Sequence, residues 1–143
     1  MTHILVLNGP NLNLLGTRQP ETYGTITLAD IEAMCRAEAE KLGVTIDFVQ
    51  DNHEGGLIDL IQNTKAEGII LNAGAYTHTS IAIMDAISSV NKPVLELHLS
   101  NIHQRESFRH KSYISMVAFG MICGLGAQGY PVALRAMAER LEP

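Results

Sequence analysis

Five short apolar runs alternate with stretches of helical periodicity, and this alternation restricts the fold more than any other property of the chain. The runs are His3–Leu7, Val44–Val49, Ile69–Leu71, Val94–Leu99 and Val117–Cys123. Strands that alternate with helices call for βαβ units, a parallel sheet and right-handed crossovers.

Five such strands within 143 residues predict one α/β domain spanning residues 1–143. The expected architecture is a three-layer, doubly wound, flavodoxin-like fold with a five-stranded parallel sheet in the order 2-1-3-4-5. Ligands of such folds lie beyond the carboxyl ends of the strands, at the switch point beside strand one. The residues expected to meet there are Asn8–Asn13, then Asn72 and His78, then those that end strand four.

The helices carry their own signals. Thr27-Leu-Ala-Asp30 has the form of a capping box. Leu28, Ile31, Met34, Cys35 and Leu42 keep a helical period behind it, and Gly43 ends the run. Asp51–Gly56 reads as a turn before a helix over Leu57–Ala66. A third helix is expected from His78 or Thr79 to Val90, and a last one over Ala127–Leu141. The hydroxyls of Thr77-His78-Thr79-Ser80 read as a capping cluster.

Strand four carries the clearest chemistry. Glu96, His98 and Ser100 fall at alternate positions and share one face, while Leu95, Leu97 and Leu99 share the other. An inner strand of a parallel sheet is normally apolar on both faces. A carboxylate and an imidazole there are costly unless they are paired or needed. Two readings stand: an edge strand with one wet face, or a Glu that orients a His for acid–base work.

Two long polar loops add to this. The first runs on from Asn8 and holds Asn11, Arg18 and Tyr23 among Pro and Gly residues. Connections of about two to six residues are usual in α/β units, so a longer loop is either functional or merely mobile. The second, Ser100–Ser112, holds Asn101, His103, Arg105, Arg109 and His110. Its guanidinium groups are candidate clamps for an anion or hydroxyl, or simply solvated charges. His78 and Asp85, seven residues apart, are expected on one helix face, with Asp85 meeting a loop or a neighbouring subunit.

Other chemistries lack their marks. The net charge of −5 and the absence of a basic stripe argue against nucleic acid. No apolar run approaches the ~20 residues that span a bilayer, and no leader pattern opens the chain, so a cytoplasmic protein without a membrane partner is expected. GxGxxG, GxxxxGK[ST] and GxSxG are missing. The six His lack HExxH or HxH spacing, so no metal is expected. None of the four Lys sits in an apolar stretch that would favour a Schiff base. Cys35 and Cys123 read as reduced thiols.

Arg, Tyr, Asn, His and Glu remain. Tyr is a weak base at its ordinary pKa of about 10, and an adjacent Arg favours the phenolate. A phenolate, an Asn facing the enolate and a His acid suit β-elimination of water without a cofactor.

The blocks LNGPNLNLLGTRQPETYG, NHEGGLIDLI, NAGAYTHTSIAIMDAI, ELHLSNIHQRESFRHKSY and GLGAQGY, in that order over nearly the whole chain, resemble the type II 3-dehydroquinate dehydratases. The resemblance implies a flavodoxin-like fold, a dodecamer of trimers and a place in the shikimate or quinate pathways. It implies conversion of the small molecule 3-dehydroquinate to 3-dehydroshikimate by anti elimination through an enolate, with neither metal nor imine. By the same resemblance Tyr23 is the base that takes the C2 proton, with Arg18 its activating cation. Asn11 holds a water facing the enolate, and His98, oriented by Glu96, protonates the C1 hydroxyl. Asn72, His78 and Arg109 bind the carboxylate and ring hydroxyls, and backbone N–H groups at Leu99 and Ser100 meet the carboxylate. Asp85 reaches the site from a neighbouring subunit, and the Arg18–Tyr23 segment is a lid. The chain departs from the family at Ala73, where Pro is common, which bears on loop stiffness. The resemblance assigns no role to Arg105 or His103. The alternatives are a non-catalytic module of the same fold binding a small anion or nucleotide, and a metal-dependent hydrolase.

Overall fold

The computed structural model describes residues 1–17, 21 and 24–143. Its sheet has five parallel strands, β1 (His3–Asn8), β2 (Thr45–Gln50), β3 (Gly68–Asn72), β4 (Val94–His98) and β5 (Gly120–Cys123). They lie in the order β2-β1-β3-β4-β5, as the alternation predicts.

Among the described residues four α-helices cover the two faces: α1 (Leu28–Leu42), α2 (Glu54–Asn63), α3 (Ile81–Ser89) and α4 (Gly129–Leu141). Strand periodicity divides the core. Ile4, Val6, Ile70, Leu95 and Leu97 face α1 and α4, where Ile31, Cys35, Leu134 and Met137 meet them. Leu5, Leu7, Ile69, Leu71 and Val94 face α2 and α3, against Leu57, Ile61, Ile83 and Ile87. Glu96 and His98 alternate with Leu95 and Leu97, so they belong to the α3 side. Among the described residues no helix is long and apolar enough to cross a membrane.

The first helix forms as its sequence indicates. Thr27 Oγ1 accepts from Asp30 N–H at 3.1 Å, and Asp30 Oδ2 accepts from Thr27 N–H at 2.9 Å. Gly43 closes the helix at φ 69°, a left-handed conformation that costs a residue without Cβ little.

Several boundaries differ from expectation. Helix α2 begins at Glu54, so the two glycines read as a turn lie in its first turn. Asp51 Oδ1 accepts from His53 N–H at 2.8 Å, and Ser80 Oγ donates to Glu54 Oε2 at 2.5 Å, which ties that end down. Helix α3 starts at Ile81, capped by Ser80 Oγ, which accepts from Ile83 N–H at 2.8 Å. His78 therefore closes a 3-10 turn, Gly74–His78, and shares no α-helical face with Asp85. Strand β5 starts at Gly120, because Ile114–Met116 forms a 3-10 turn first. Another such turn, Gly126–Gln128, delays α4 to Gly129.

One glycine is required where β1 meets β3. Gly9 N–H donates to Asn72 O at 2.7 Å, and a Cβ on Gly9 would stand 2.5 Å from Ala73 O and 2.6 Å from its carbonyl carbon. These are backbone atoms, so the two strand ends would have to separate. Gly9→Ala is expected to destabilise the protein by about 1–3 kcal/mol. Urea denaturation reads this directly, and a wild-type midpoint would contradict it.

Candidate active site

The carboxyl ends of β1, β3 and β4 open onto a pocket of about 370 Å³. Seven of the residues expected at the site line it: Asn11, Asn72, His78, His98, Leu99, Ser100 and Arg109. Glu96 stands behind His98, fully buried. Asp85 is exposed and does not line the pocket. Arg18, Tyr23 and the expected lid lie outside the described residues.

Strand β4 is an interior strand, flanked by β3 and β5, and all five of its residues are buried. This overturns the wet-edge reading and leaves Glu96 and His98 as a buried polar pair. His98 Nε2 lies 2.5 Å from Glu96 Oε2. The carboxylate is satisfied further by hydroxyl donors: Ser112 Oγ at 2.6 Å and Thr77 Oγ1 at 3.2 Å to Oε2, and Ser115 Oγ to Oε1. Burial on its own pushes the Glu96 carboxyl up, but donors from His98, Ser112 and Ser115, with the His98 charge, outweigh it and hold the group below its ordinary value. Glu96 is thus an ionised acceptor. It holds Nε2–H of the imidazole and leaves Nδ1 as the other proton-bearing position.

His78 stacks near His98, with ring centroids 6.4 Å apart and planes at 16°. Its Nδ1 lies 2.9 Å from Lys111 O, which can only accept, so Nδ1 carries the proton and donates. Burial lowers the His78 pKa, with the nearby His98 and Arg109 acting in the same direction. The neutral ring therefore has an accepting Nε2, suited to a ligand hydroxyl.

Asn72 is held from two sides. Gly74 N–H donates to its Oδ1 at 3.2 Å, and its Nδ2 donates to Tyr130 Oη at 3.0 Å. Tyr130 Oη in turn donates to Asn8 Oδ1 at 2.7 Å, and Asn8 Nδ2 donates to Val49 O at 3.1 Å. Burial raises the Tyr130 phenol far above its ordinary value, so it remains a donor. This chain links the ends of β1, β2 and β3 to the first turn of α4 and sets which way the Asn72 amide points.

Asn11 is the only non-glycine residue at positive φ among those described, at 70°. Asn tolerates this conformation better than most residues. Asn52 Oδ1 accepts from Asn11 N–H at 3.0 Å and from Gln50 Nε2 at 2.9 Å. Backbone strain of this kind collects at functional sites.

The second polar loop closes the pocket from the β4 side. Arg105 and Glu106 line it together with Arg109. Arg109 Nε donates to Glu106 Oε1 at 3.3 Å, and Arg105 Nε lies 3.7 Å from the same oxygen. Arg105, a candidate clamp from sequence, thus lines the pocket, whereas nothing in the local sequence pattern marks Glu106, Tyr130, Ser112 or Ser115 as site residues. Only the block GLGAQGY, through its closing Tyr, offered a signal for Tyr130. Thr77, read as part of a capping cluster, serves Glu96 instead; of the two, Ser80 is the cap. Among the described residues no three His, Cys, Asp or Glu side chains form a group able to hold a metal ion.

A family model described as "Dehydroquinase class II" matches residues 2–138. A 3-dehydroquinate dehydratase of Dinoroseobacter shibae is 65% identical over 134 residues, covering 92% of this chain and 89% of that protein. One of Ruegeria pomeroyi is 61% identical over 145 residues, covering 100% of this chain and 97% of that protein. The crystal structure of a type II dehydroquinase from Butyrivibrio crossotus superposes with a TM-score of 0.92 at 41% identity, over 95% of this chain and 97% of that one.

Proposed function

The chain belongs to the class II dehydroquinase family, and from that premise we propose that it removes water from 3-dehydroquinate to give 3-dehydroshikimate by an anti elimination. The observation that carries the mechanism is the buried His98–Glu96 pair, which opens onto a pocket lined by Asn11, Asn72, His78 and Arg109.

The Tyr23 phenolate, kept ionised by the Arg18 guanidinium, takes the proton from C2. The electron pair of the C–H bond moves toward the C3 carbonyl and forms the enolate. A water held by Asn11 donates to the enolate oxygen and spreads its charge. As the enolate collapses, the C1–O bond breaks, and His98 gives its proton to the departing hydroxyl, which leaves as water. Tyr23 then holds one proton and His98 lacks one, so a single net proton transfer resets the site.

The binding groups follow from what each can offer. Arg109 and the backbone N–H groups of Leu99 and Ser100 are donors suited to the carboxylate. His78 Nε2 accepts from one ring hydroxyl, and the Asn72 amide, with its direction set, meets another. Asp85 is exposed and off the pocket, so its part in substrate binding requires a second subunit. This accords with an oligomer, and a dodecamer is the assembly we propose.

The test is direct. Purified protein with 3-dehydroquinate and EDTA should show growth of conjugated-enone absorbance, and light scattering of the same sample should report a dodecamer mass. A flat trace at high protein concentration would refute the activity, and a monomer mass with full turnover would refute the shared role of Asp85.

A further inference from the structure

The site contains hydroxyls that the elimination itself does not use. Thr77 is fully buried and Ser112 is nearly so, yet neither lines the pocket. With Ser115 they surround a carboxylate that has no exposure to water. We infer that Thr77, Ser112 and Ser115 form a hydroxyl cage that keeps Glu96 a proton acceptor toward His98, which makes them positioning residues for the proton-transfer step. This rests on the reading of His98 as the acid.

A carboxylate out of water loses its solvation and tends to take up a proton instead. If Glu96 took the His98 proton, that proton would sit on the side of the imidazole away from the pocket. Each hydroxyl that donates to Glu96 spreads its charge and weakens its claim on that proton. Ser112 is held in the donating sense, because its oxygen accepts Ser115 N–H at 3.2 Å while its own proton points to Glu96. The titratable groups that face this carboxylate are His98 on its own strand and His78 on the Gly74–His78 turn, with Arg109 acting on His78 from the Ser107–Arg109 turn.

The cage also ties the second loop to the reaction. Ser112 and Ser115 follow directly on the segment that bears Arg105 and Arg109. Tyr113 N–H donates to Thr77 O at 2.9 Å, and His78 donates to Lys111 O, so the end of that loop docks against the turn that carries Thr77. A loop seated correctly for Arg109 therefore delivers two of the three cage hydroxyls. Substrate binding and the state of the acid share one anchor.

Ser112→Ala and Ser115→Ala test this. Ser115 is an exposed residue, so its variant keeps the core intact even if the Ser112 variant folds poorly. Two quantities are read: the ¹³C titration of the Glu96 carboxyl in the free protein, and kcat and KM for 3-dehydroquinate. Loss of one donor is expected to raise the carboxyl titration midpoint and lower kcat about tenfold, with KM little changed. Ser115→Thr, which keeps the hydroxyl, is expected to restore both. An unmoved carboxyl titration in both alanine variants overturns the cage. A raised midpoint with wild-type kcat overturns instead the acid role of His98, so the two failures are distinguishable.

Discussion

His98→Gln is expected to lower kcat by about 10²–10⁴-fold, with KM for 3-dehydroquinate little changed. His98 is buried, and its Nε2 lies 2.5 Å from Glu96. Glutamine is of similar length, and its amide NH₂ can still donate to that carboxylate, so the buried charge keeps a partner. What it lacks is a proton that it can give up and recover near neutral pH. In the proposed mechanism the loss falls on departure of the C1 hydroxyl, which would leave unprotonated. The enone assay at saturating substrate measures it. A variant that keeps more than about a tenth of wild-type kcat would refute the assignment of His98 as the acid.

Tyr23→Phe is expected to reduce kcat by a comparable factor, about 10³-fold, through the other half of the reaction. Phe keeps the ring and removes only the oxygen proposed to accept the C2 proton. No other side chain proposed to meet the substrate is a phenol. In the proposed mechanism Arg18 suits the activating role because its guanidinium cannot itself lose a proton at working pH. Binding should survive, since Arg109, His78, Asn72 and the Leu99–Ser100 backbone are untouched. Calorimetric titration with an unreactive substrate analogue, beside the enone assay, separates the two effects. Lost binding with an unchanged rate at saturation would make Tyr23 a binding residue and leave the base to be found elsewhere.

The two predictions differ in how far sequence alone could take them. Period-two alternation in β4 put Glu96 and His98 on one face, which is a local property of any strand. It left open whether that face was wet. Only the pairing of β4 with both β3 and β5 shows that the pair is buried and that Glu96 needs partners. Those partners come from 16 and 19 residues away along the chain, and no local pattern indicates such distances. Serine and threonine hydroxyls read as caps because capping is their commonest local use. Ser80 is a cap, whereas Thr77, three residues earlier, is turned toward Glu96.

His78 shows the same limit at shorter range. Spacing placed it with Asp85 on one helix face, but the chain spends Gly74–His78 in a 3-10 turn and starts α3 only at Ile81. A 3-10 turn advances by three residues rather than 3.6, so helical spacing across the junction carries no information. The position of His78 beside His98 is instead set by the strand ends and by its bond to Lys111 O.

The chain's own order of residues determined the alternating elements, the capping box at Thr27, the stop at Gly43, the strand order and seven of the residues that line the pocket. These rest on interactions within a few residues or on the handedness of βαβ crossovers, both of which repeat wherever the pattern does. Tertiary structure decided the burial of Glu96, the cage around it, the Tyr130–Asn72–Asn8 chain and the separation of Asp85 from the pocket. Each of these depends on polar atoms remote in sequence meeting where water is excluded, and the need to satisfy them arises only once the core has closed.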